Sequence, residues 1–145
     1  MKEVQVLLVE DNQGDDLLTR EAFINWKLKN SIVTLKDGDE ALRYLRREMP
    51  YTNVSTPDLV ILDINLPKID GKEVLKCIKS CEVLKHLPVV VFSSSCRESE
   101  VEEIKNLKAD YYLQKPVDLG GYFDAIRNIQ NFWMNNFKKG SYEVQ

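Results

Sequence analysis

Five short apolar segments, separated by helix-like patterns, constrain this sequence most strongly. They cover Val4–Val9, 31–35, Leu59–Leu62, 89–92 and 111–113. Apolar runs of this length, flanked by polar and turn residues, are typical of buried strands. Helices are predicted at about 15–27, 39–48, 98–107 and 118–137, and around Val74, Leu75 and Ile78. Strands that alternate with helices predict right-handed βαβ units and a parallel sheet covered on both faces.

Length and charge exclude several classes of protein. The 145 residues suit one domain, and no repeat or interdomain linker interrupts them. The formal net charge is −3 and the Lys and Arg residues are scattered, which argues against nucleic acid as a partner. No apolar stretch is long enough to span a membrane, and the first residues do not form a signal peptide. The cysteines Cys77, Cys81 and Cys96 lack the spacing of a disulfide framework, so we expect a reduced, cytoplasmic protein.

Polar side chains follow four of the predicted strands. Glu10 and Asp11 follow the first, Asp63 the third, Ser93 the fourth and Lys115 the fifth. The carboxyl ends of parallel strands meet at one edge of the sheet, where ligands bind. Three neighbouring carboxylates need a compensating cation to stay ionised. Oxygen ligands without His or Cys suit a hard divalent ion, and Mg²⁺ would leave positions open for water and a phosphoryl group.

A set of residues in order along these strands resembles the signature of receiver domains of two-component response regulators. The set comprises Glu10, Asp11, Asp63, Ser93, Tyr112, Lys115 and Pro116. The resemblance covers about residues 4–128. It implies a flavodoxin-like (βα)5 fold with strand order 2-1-3-4-5. We expect the receiver domain to occupy residues 1–128, and an extension of the last helix with a tail to occupy 129–145.

The resemblance also implies roles for the acidic residues and the lysine. Asp63 would take a phosphoryl group from the phosphohistidine of a sensor histidine kinase and become an acyl phosphate. Asp11, Asp63 and the backbone carbonyl of Asn65 would hold Mg²⁺, with Glu10 acting through a bound water. The metal ion and Lys115 would neutralise charge on the phosphoryl oxygens. The chain would therefore catalyse only its own phosphorylation and dephosphorylation.

The remaining members of the set imply a conformational switch. Ser93 would hydrogen-bond a phosphoryl oxygen, and its movement would free space for the ring of Tyr112. Ser94 is the alternative hydroxyl, but Ser93 follows the apolar run directly. Pro116 resembles the family's cis-proline, which aims Lys115 at the site.

Other segments bear on partners. Residues 11–23 resemble stand-alone receivers paired with bacterial phytochrome kinases, so we expect a light- or redox-sensing kinase. About seventeen residues follow the receiver, which predicts output through a downstream protein target or a phosphotransfer protein. The last helix has one apolar stripe, formed by Phe123, Ile126, Trp133 and Phe137, and additional apolar surface beside it at Ile129 and Phe132. A receiver's last helix needs only one buried stripe, which raises the hypothesis of a homodimer through this helix.

Two alternatives remain open from the residues. Haloacid-dehalogenase-like phosphatases also use an aspartate at a strand end, but they place a second aspartate two residues later, where this chain has Asn65. A degenerate receiver would bind partners without phosphorylation. The presence of Glu10, Asp11, Asp63 and Lys115 argues against that alternative.

Overall fold

Within residues 2–95 and 97–145, which a computed structural model describes, the chain forms five strands and five helices. The strands are β1 (Val4–Val9), β2 (Asn30–Leu35), β3 (Leu59–Leu62), β4 (Val89–Ser93) and β5 (Tyr111–Gln114). The helices are α1 (Gln13–Ile24), α2 (Gly38–Leu45), α3 (Gly71–Ser80), α4 (Glu98–Asn106) and α5 (Leu119–Asn136). All four strand pairings are parallel, in the order β2-β1-β3-β4-β5. This is the predicted flavodoxin-like topology.

Side-chain caps determine where most of the helices begin. The caps of α1, α2, α3 and α5 are Asn12, Asp37, Asp70 and Asp118, and each accepts a hydrogen bond from a backbone N–H of the first turn. Such a cap typically stabilises a helix by about 0.5–2 kcal/mol. Because Asn12 is the cap, α1 begins earlier than predicted. The second helix ends earlier than predicted because Arg47 has a φ of 56°, a left-handed conformation that stops a helix.

Two apolar layers cover the sheet, one on each face. The first layer joins alternate strand residues to α1 and α5, with Phe23, Ile126 and Trp133 among its most buried members. The second joins the other strand residues to α2, α3 and α4, with Leu75 and Ile78 at its centre. Both faces are therefore covered, which explains why β3 and the first four residues of β4 are all apolar rather than alternating.

The aromatic residues at the end of α5 are mostly covered by the chain itself. The indole of Trp133 is 1% exposed, and its Nε1 donates a hydrogen bond of 3.0 Å to the carbonyl of Asp58. The ring of Phe132 stacks on Tyr111 with centroids 4.5 Å apart, and Phe137 packs on Phe132. The surplus of apolar surface that suggested a second subunit is thus largely used within one chain.

The segment after α5 returns to the amino ends of β1 and β2. Glu143 donates its N–H to the carbonyl of Lys2 at 2.8 Å and accepts from the N–H of Lys29 at 2.7 Å. The side chain of Gln145 donates to the carbonyl of Ile24 at the end of α1, at 2.9 Å. The tail is therefore hydrogen-bonded to the starts of both strands.

Cys77 and Cys81 are free and half-buried, and Cys96 lies outside the described residues. None of the described helices is both long and apolar enough to cross a membrane.

Candidate functional site

Asp63 lies directly beyond β3, at the carboxyl edge of the sheet. Its N–H donates to the carbonyl of Val9 at 3.0 Å, which continues the sheet pairing by one residue. Its side chain lies at the mouth of the site, and the residue is 8% exposed. A Cβ on Gly71 would lie 2.2 Å from the carbonyl oxygen of Asp63, so only glycine lets α3 begin this close to it.

Lys115 lies beyond β5 and reaches three carboxylates. Its Nζ is 2.6 Å from Oε1 of Glu10, 2.9 Å from Oδ2 of Asp15 and 3.0 Å from Oδ2 of Asp63. An ammonium group has three N–H donors, and each can serve one carboxylate here. The backbone N–H of Lys115 donates to the carbonyl of Ser93 at 2.8 Å, which anchors the residue at the sheet edge.

Glu10, Asp11 and Asp63 form an acidic cluster at this edge. One carboxylate oxygen from each lies within 4.8 Å of the others, although Asp11 is exposed and the other two are buried. The N–H of Asn65 donates to Oδ1 of Asp63 at 3.2 Å, which fixes the orientation of that carboxylate. Three carboxylate oxygens converging on one point, with no nitrogen or sulfur ligand among them, fit a hard divalent cation.

Burial acts on the pKa values of Glu10 and Lys115. It raises the pKa of Glu10 to about 7, although the hydrogen bond and the charge of Lys115 oppose the rise. Burial by itself would lower the pKa of Lys115, but the hydrogen bond with Glu10 and the charge of Asp63 outweigh it, so that pKa lies above its usual value. The lysine is therefore a fixed positive charge, whereas Glu10 can exchange a proton near neutral pH.

The serines after β4 link the site to Tyr112. Ser93 is fully buried as the last residue of β4, and its Oγ accepts a hydrogen bond from the N–H of Ser95 at 3.4 Å. Ser94 is exposed. The hydroxyl of Tyr112, which is half-buried on β5, donates to the carbonyl of Ser95. The loop after β4 thus contacts both Ser93 and Tyr112.

Asp15 is a site residue that the sequence analysis missed. It lies in the first turn of α1, where its N–H donates to Oδ1 of the cap Asn12 at 2.9 Å. Side chains in a first turn point back toward the start of the helix, which here faces the sheet edge. The signal available in the sequence was the cap residue Asn12 followed three positions later by an acid.

The prediction of a cis peptide bond before Pro116 is wrong. The cis bond found among the described residues precedes Pro50 instead. Lys115 reaches Asp63 and Glu10 without it, because the pairing of its own N–H with Ser93 already places it at the edge.

Comparisons with known proteins agree on one family. The family model for the response regulator receiver domain matches residues 6–127. The response regulator Rcp1 of Synechocystis sp. is 37% identical over 129 residues, covering 89% of this chain and 88% of that protein. The probable methanogenesis regulatory protein FilR2 of Methanothrix harundinacea is 36% identical over 129 residues, covering 89% and 83%.

Solved structures give the same result. The phosphorylated cyanobacterial phytochrome response regulator RcpA superposes with a TM-score of 0.89 at 41% identity, over 97% of this chain and 98% of that one. The Mn²⁺-bound form of Rcp1 superposes with a TM-score of 0.89 at 35% identity, over 95% and 99%. Proteins of this family act in signalling rather than as enzymes on other molecules, and they bind a divalent metal at the acidic pocket. The chain belongs to the response regulator receiver domain family.

Proposed function

We propose that this response regulator accepts a phosphoryl group on Asp63 from a sensor histidine kinase, in a reaction that depends on Mg²⁺. The observation that carries the proposal is the position of the Asp63 carboxylate. It lies 3.0 Å from the ammonium of Lys115 and within 4.8 Å of carboxylate oxygens of Glu10 and Asp11. A nucleophile in this place has two cations beside it once the metal is bound, as phosphoryl transfer requires.

The chemical step is a displacement at phosphorus. A carboxylate oxygen of Asp63 forms a bond to the phosphorus of the kinase phosphohistidine, and the P–N bond breaks. The electron pair stays on the imidazole nitrogen, which takes a proton from solvent. Lys115 would donate hydrogen bonds to the incoming phosphoryl oxygens.

The acidic cluster would bind the metal ion. Glu10, Asp11, Asp63 and the carbonyl of Asn65 would hold Mg²⁺, whose charge offsets that of the phosphoryl oxygens. The three converging carboxylates support this donor set. Glu10 must lose its proton to take part, since burial raises its pKa to about 7.

The switch would pass through the loop after β4. We propose Ser93 as the hydroxyl that binds a phosphoryl oxygen, because it is buried at the strand end whereas Ser94 is exposed. Movement of Ser93 would pull on Ser95, which accepts hydrogen bonds at its carbonyl from Tyr112 and donates its N–H to Ser93. Tyr112 would then turn toward the vacated space.

Partners follow from the same assignment. RcpA is a phytochrome response regulator, which supports a phytochrome-like sensor kinase as the phosphoryl donor in the cytoplasm. Output would come from a downstream protein target, from relay to a phosphotransfer protein, or from a homodimer through α5. We assign the receiver to residues 1–128, with 129–145 as an extension that packs onto it through Trp133.

Labelling with acetyl phosphate tests the proposal. Incubation of the chain with acetyl phosphate and Mg²⁺ should add one phosphoryl group, visible by intact-protein mass spectrometry, and Asp63→Asn should abolish the addition. Asp124→Asn, an exposed acid on α5, is the matched control and should be labelled like the wild type. Absence of labelling in the wild type would favour a phosphorylation-independent binding module.

A further inference from the structure

We propose that Asp15 is a positioning residue that holds Lys115 back from the phosphoryl group, and so limits how tightly the site takes up that anion. The inference rests on the proposed function, because it concerns the same lysine. The experiment below separates the two, since each fails on a different measurement.

Asp15 lies about as close to the ammonium of Lys115 as Glu10 and Asp63 do. Its Oδ2 lies 2.9 Å from Nζ, between the 2.6 Å contact of Glu10 and the 3.0 Å contact of Asp63. The side chain of Lys115 is 6% exposed, so solvent competes weakly for its donors. A charge-assisted hydrogen bond in such a place is among the stronger ones in a protein.

Asp15 differs from the other two partners in what else it can bind. Glu10 and Asp63 belong to the acidic cluster, so both gain a second cation when a metal ion binds. Asp15 is outside that cluster, and Lys115 is its ion-pair partner among the described residues. When Glu10 binds the metal ion and Asp63 binds both the metal ion and the phosphoryl group, Asp15 stays hydrogen-bonded to Lys115. It therefore competes with the phosphoryl oxygens for an N–H donor.

The backbone around Asp15 is fixed from two sides. Its N–H donates to the Asn12 cap at 2.9 Å. Its carbonyl oxygen lies 2.8 Å from Oγ1 of Thr19 and 3.1 Å from the hydroxyl oxygen of Tyr122 on α5. These two buried hydroxyls lie 2.9 Å from each other, and their two hydrogens hold the three oxygens together. The backbone of Asp15 is therefore anchored, and its carboxylate can follow the lysine only as far as rotation of its own short side chain allows.

Beryllofluoride binding measures the effect directly. BeF₃⁻ adds to an aspartate carboxylate as a mimic of the phosphoryl group, and its bound fluorine signals can be titrated by NMR in saturating Mg²⁺. Asp15→Asn keeps the size of the side chain and removes its charge, so BeF₃⁻ should bind more tightly, on the order of fivefold. Asp15→Ala should change the affinity in the same direction.

Asp16→Asn is the matched control. It removes the same charge from the neighbouring position and loses more contacts, because Oδ1 of Asp16 accepts from Arg20 at 3.0 Å and from Thr34 at 2.7 Å. Its BeF₃⁻ affinity should equal that of the wild type. The ratio between Asp15→Asn and the wild type should also persist at high salt, where long-range fields are screened but direct contacts are not.

Three results would overturn the inference: unchanged or weaker BeF₃⁻ binding in Asp15→Asn, an equal gain in Asp16→Asn, or loss of the gain at high salt. In each case the wild type still binds BeF₃⁻ and the proposed function stands. A wild type that binds no BeF₃⁻ and takes no label from acetyl phosphate would instead remove the proposed function itself.

Discussion

The ammonium of Lys115 lies 3.0 Å from Oδ2 of Asp63, although 52 positions separate the two residues in the sequence. The strand β4 lies between their strands, so the contact depends on the sheet order. Both residues are buried. A largely buried carboxylate cluster that loses the ammonium compensating it is strongly destabilised until another cation replaces it.

We therefore expect Lys115→Met to destabilise the metal-free protein by about 3–5 kcal/mol and to make its stability depend on Mg²⁺. Urea unfolding followed by circular dichroism, with and without Mg²⁺, measures both effects. Lys105→Met on the exposed side of α4 is the control and should change little. Equal stability of Lys115→Met and wild type without Mg²⁺ would contradict the role of the ion pair.

The pKa of Glu10 predicts a pH dependence of metal binding. Because burial raises this pKa to about 7, Glu10 is mostly protonated at mildly acidic pH and must release the proton to bind Mg²⁺. Mg²⁺ affinity should be about tenfold weaker at pH ~6 than at pH ~8, measured by isothermal titration calorimetry. In Glu10→Gln the dependence should flatten; a wild-type affinity that does not vary with pH would rule out this protonation.

The same shift has the opposite consequence for the metal-free fold. The folded pKa of Glu10 lies above its ordinary value of 4.5, so the folded state binds the proton more tightly than the unfolded state. Its contribution to stability is complete below pH 4.5 and is lost as the pH rises toward about 7. Metal-free protein should therefore lose free energy of unfolding over this window, and Glu10→Gln should lose less.

Two glycines allow a paired test of the close approach of α3 to Asp63. Gly71→Ala would place a Cβ 2.2 Å from a backbone oxygen, and it should destabilise the protein by about 3 kcal/mol. At Gly120, in the first turn of α5, the nearest atom to a new Cβ is 3.6 Å away. Gly120→Ala should therefore stabilise the protein by up to about 1 kcal/mol. Thermal unfolding of both variants measures these changes in stability. A Gly71→Ala variant as stable as the wild type would contradict the tight contact.

Tyr142 tests whether the tail belongs to the core. Its ring is buried, packs edge-on against Trp133 with centroids 5.3 Å apart, and lies 4.8 Å below the ammonium of Lys2. Tyr142→Ala should cost about 2–4 kcal/mol of unfolding free energy without changing phosphorylation of Asp63. Val144→Ala, at an exposed tail position, should be close to neutral. An unchanged stability in Tyr142→Ala would mean that the tail is separable from the domain.

Periodicity predicted the sheet and most of its edge. The apolar run of β3 located Asp63, and the residues after β1 and β5 located Glu10, Asp11 and Lys115, because parallel strands place their carboxyl ends together. Asp15 was not predicted as a site residue because its position depends on which way the first turn of α1 faces. The apolar pattern of α1 does not specify that rotation. In the structure this rotation accompanies a long-range hydrogen bond between Thr19 and Tyr122, which are 103 positions apart.

The position of the tail could not be predicted from the sequence for a different reason. The pairing of Lys2 with Tyr142 joins opposite ends of the chain through backbone hydrogen bonds. Such bonds do not require a periodic pattern of apolar side chains, so the sequence gives no sign of them. The aromatic surplus of α5 was recognised from the sequence, but its contacts within the chain were not: Trp133 packs against both Tyr142 and Trp26. A homodimer through α5 stays a prediction.

The placement of both tryptophans in one layer has a spectroscopic consequence. The sequence contains two, Trp26 and Trp133, and their rings meet nearly at right angles with centroids 5.8 Å apart. Both belong to the layer of α1 and α5, and neither belongs to the layer of α2, α3 and α4. Intrinsic indole emission is therefore an optical reporter of one side of the sheet. Loosening of the other side would pass unseen by it, and would register instead in tyrosine signals from Tyr44 and Tyr112.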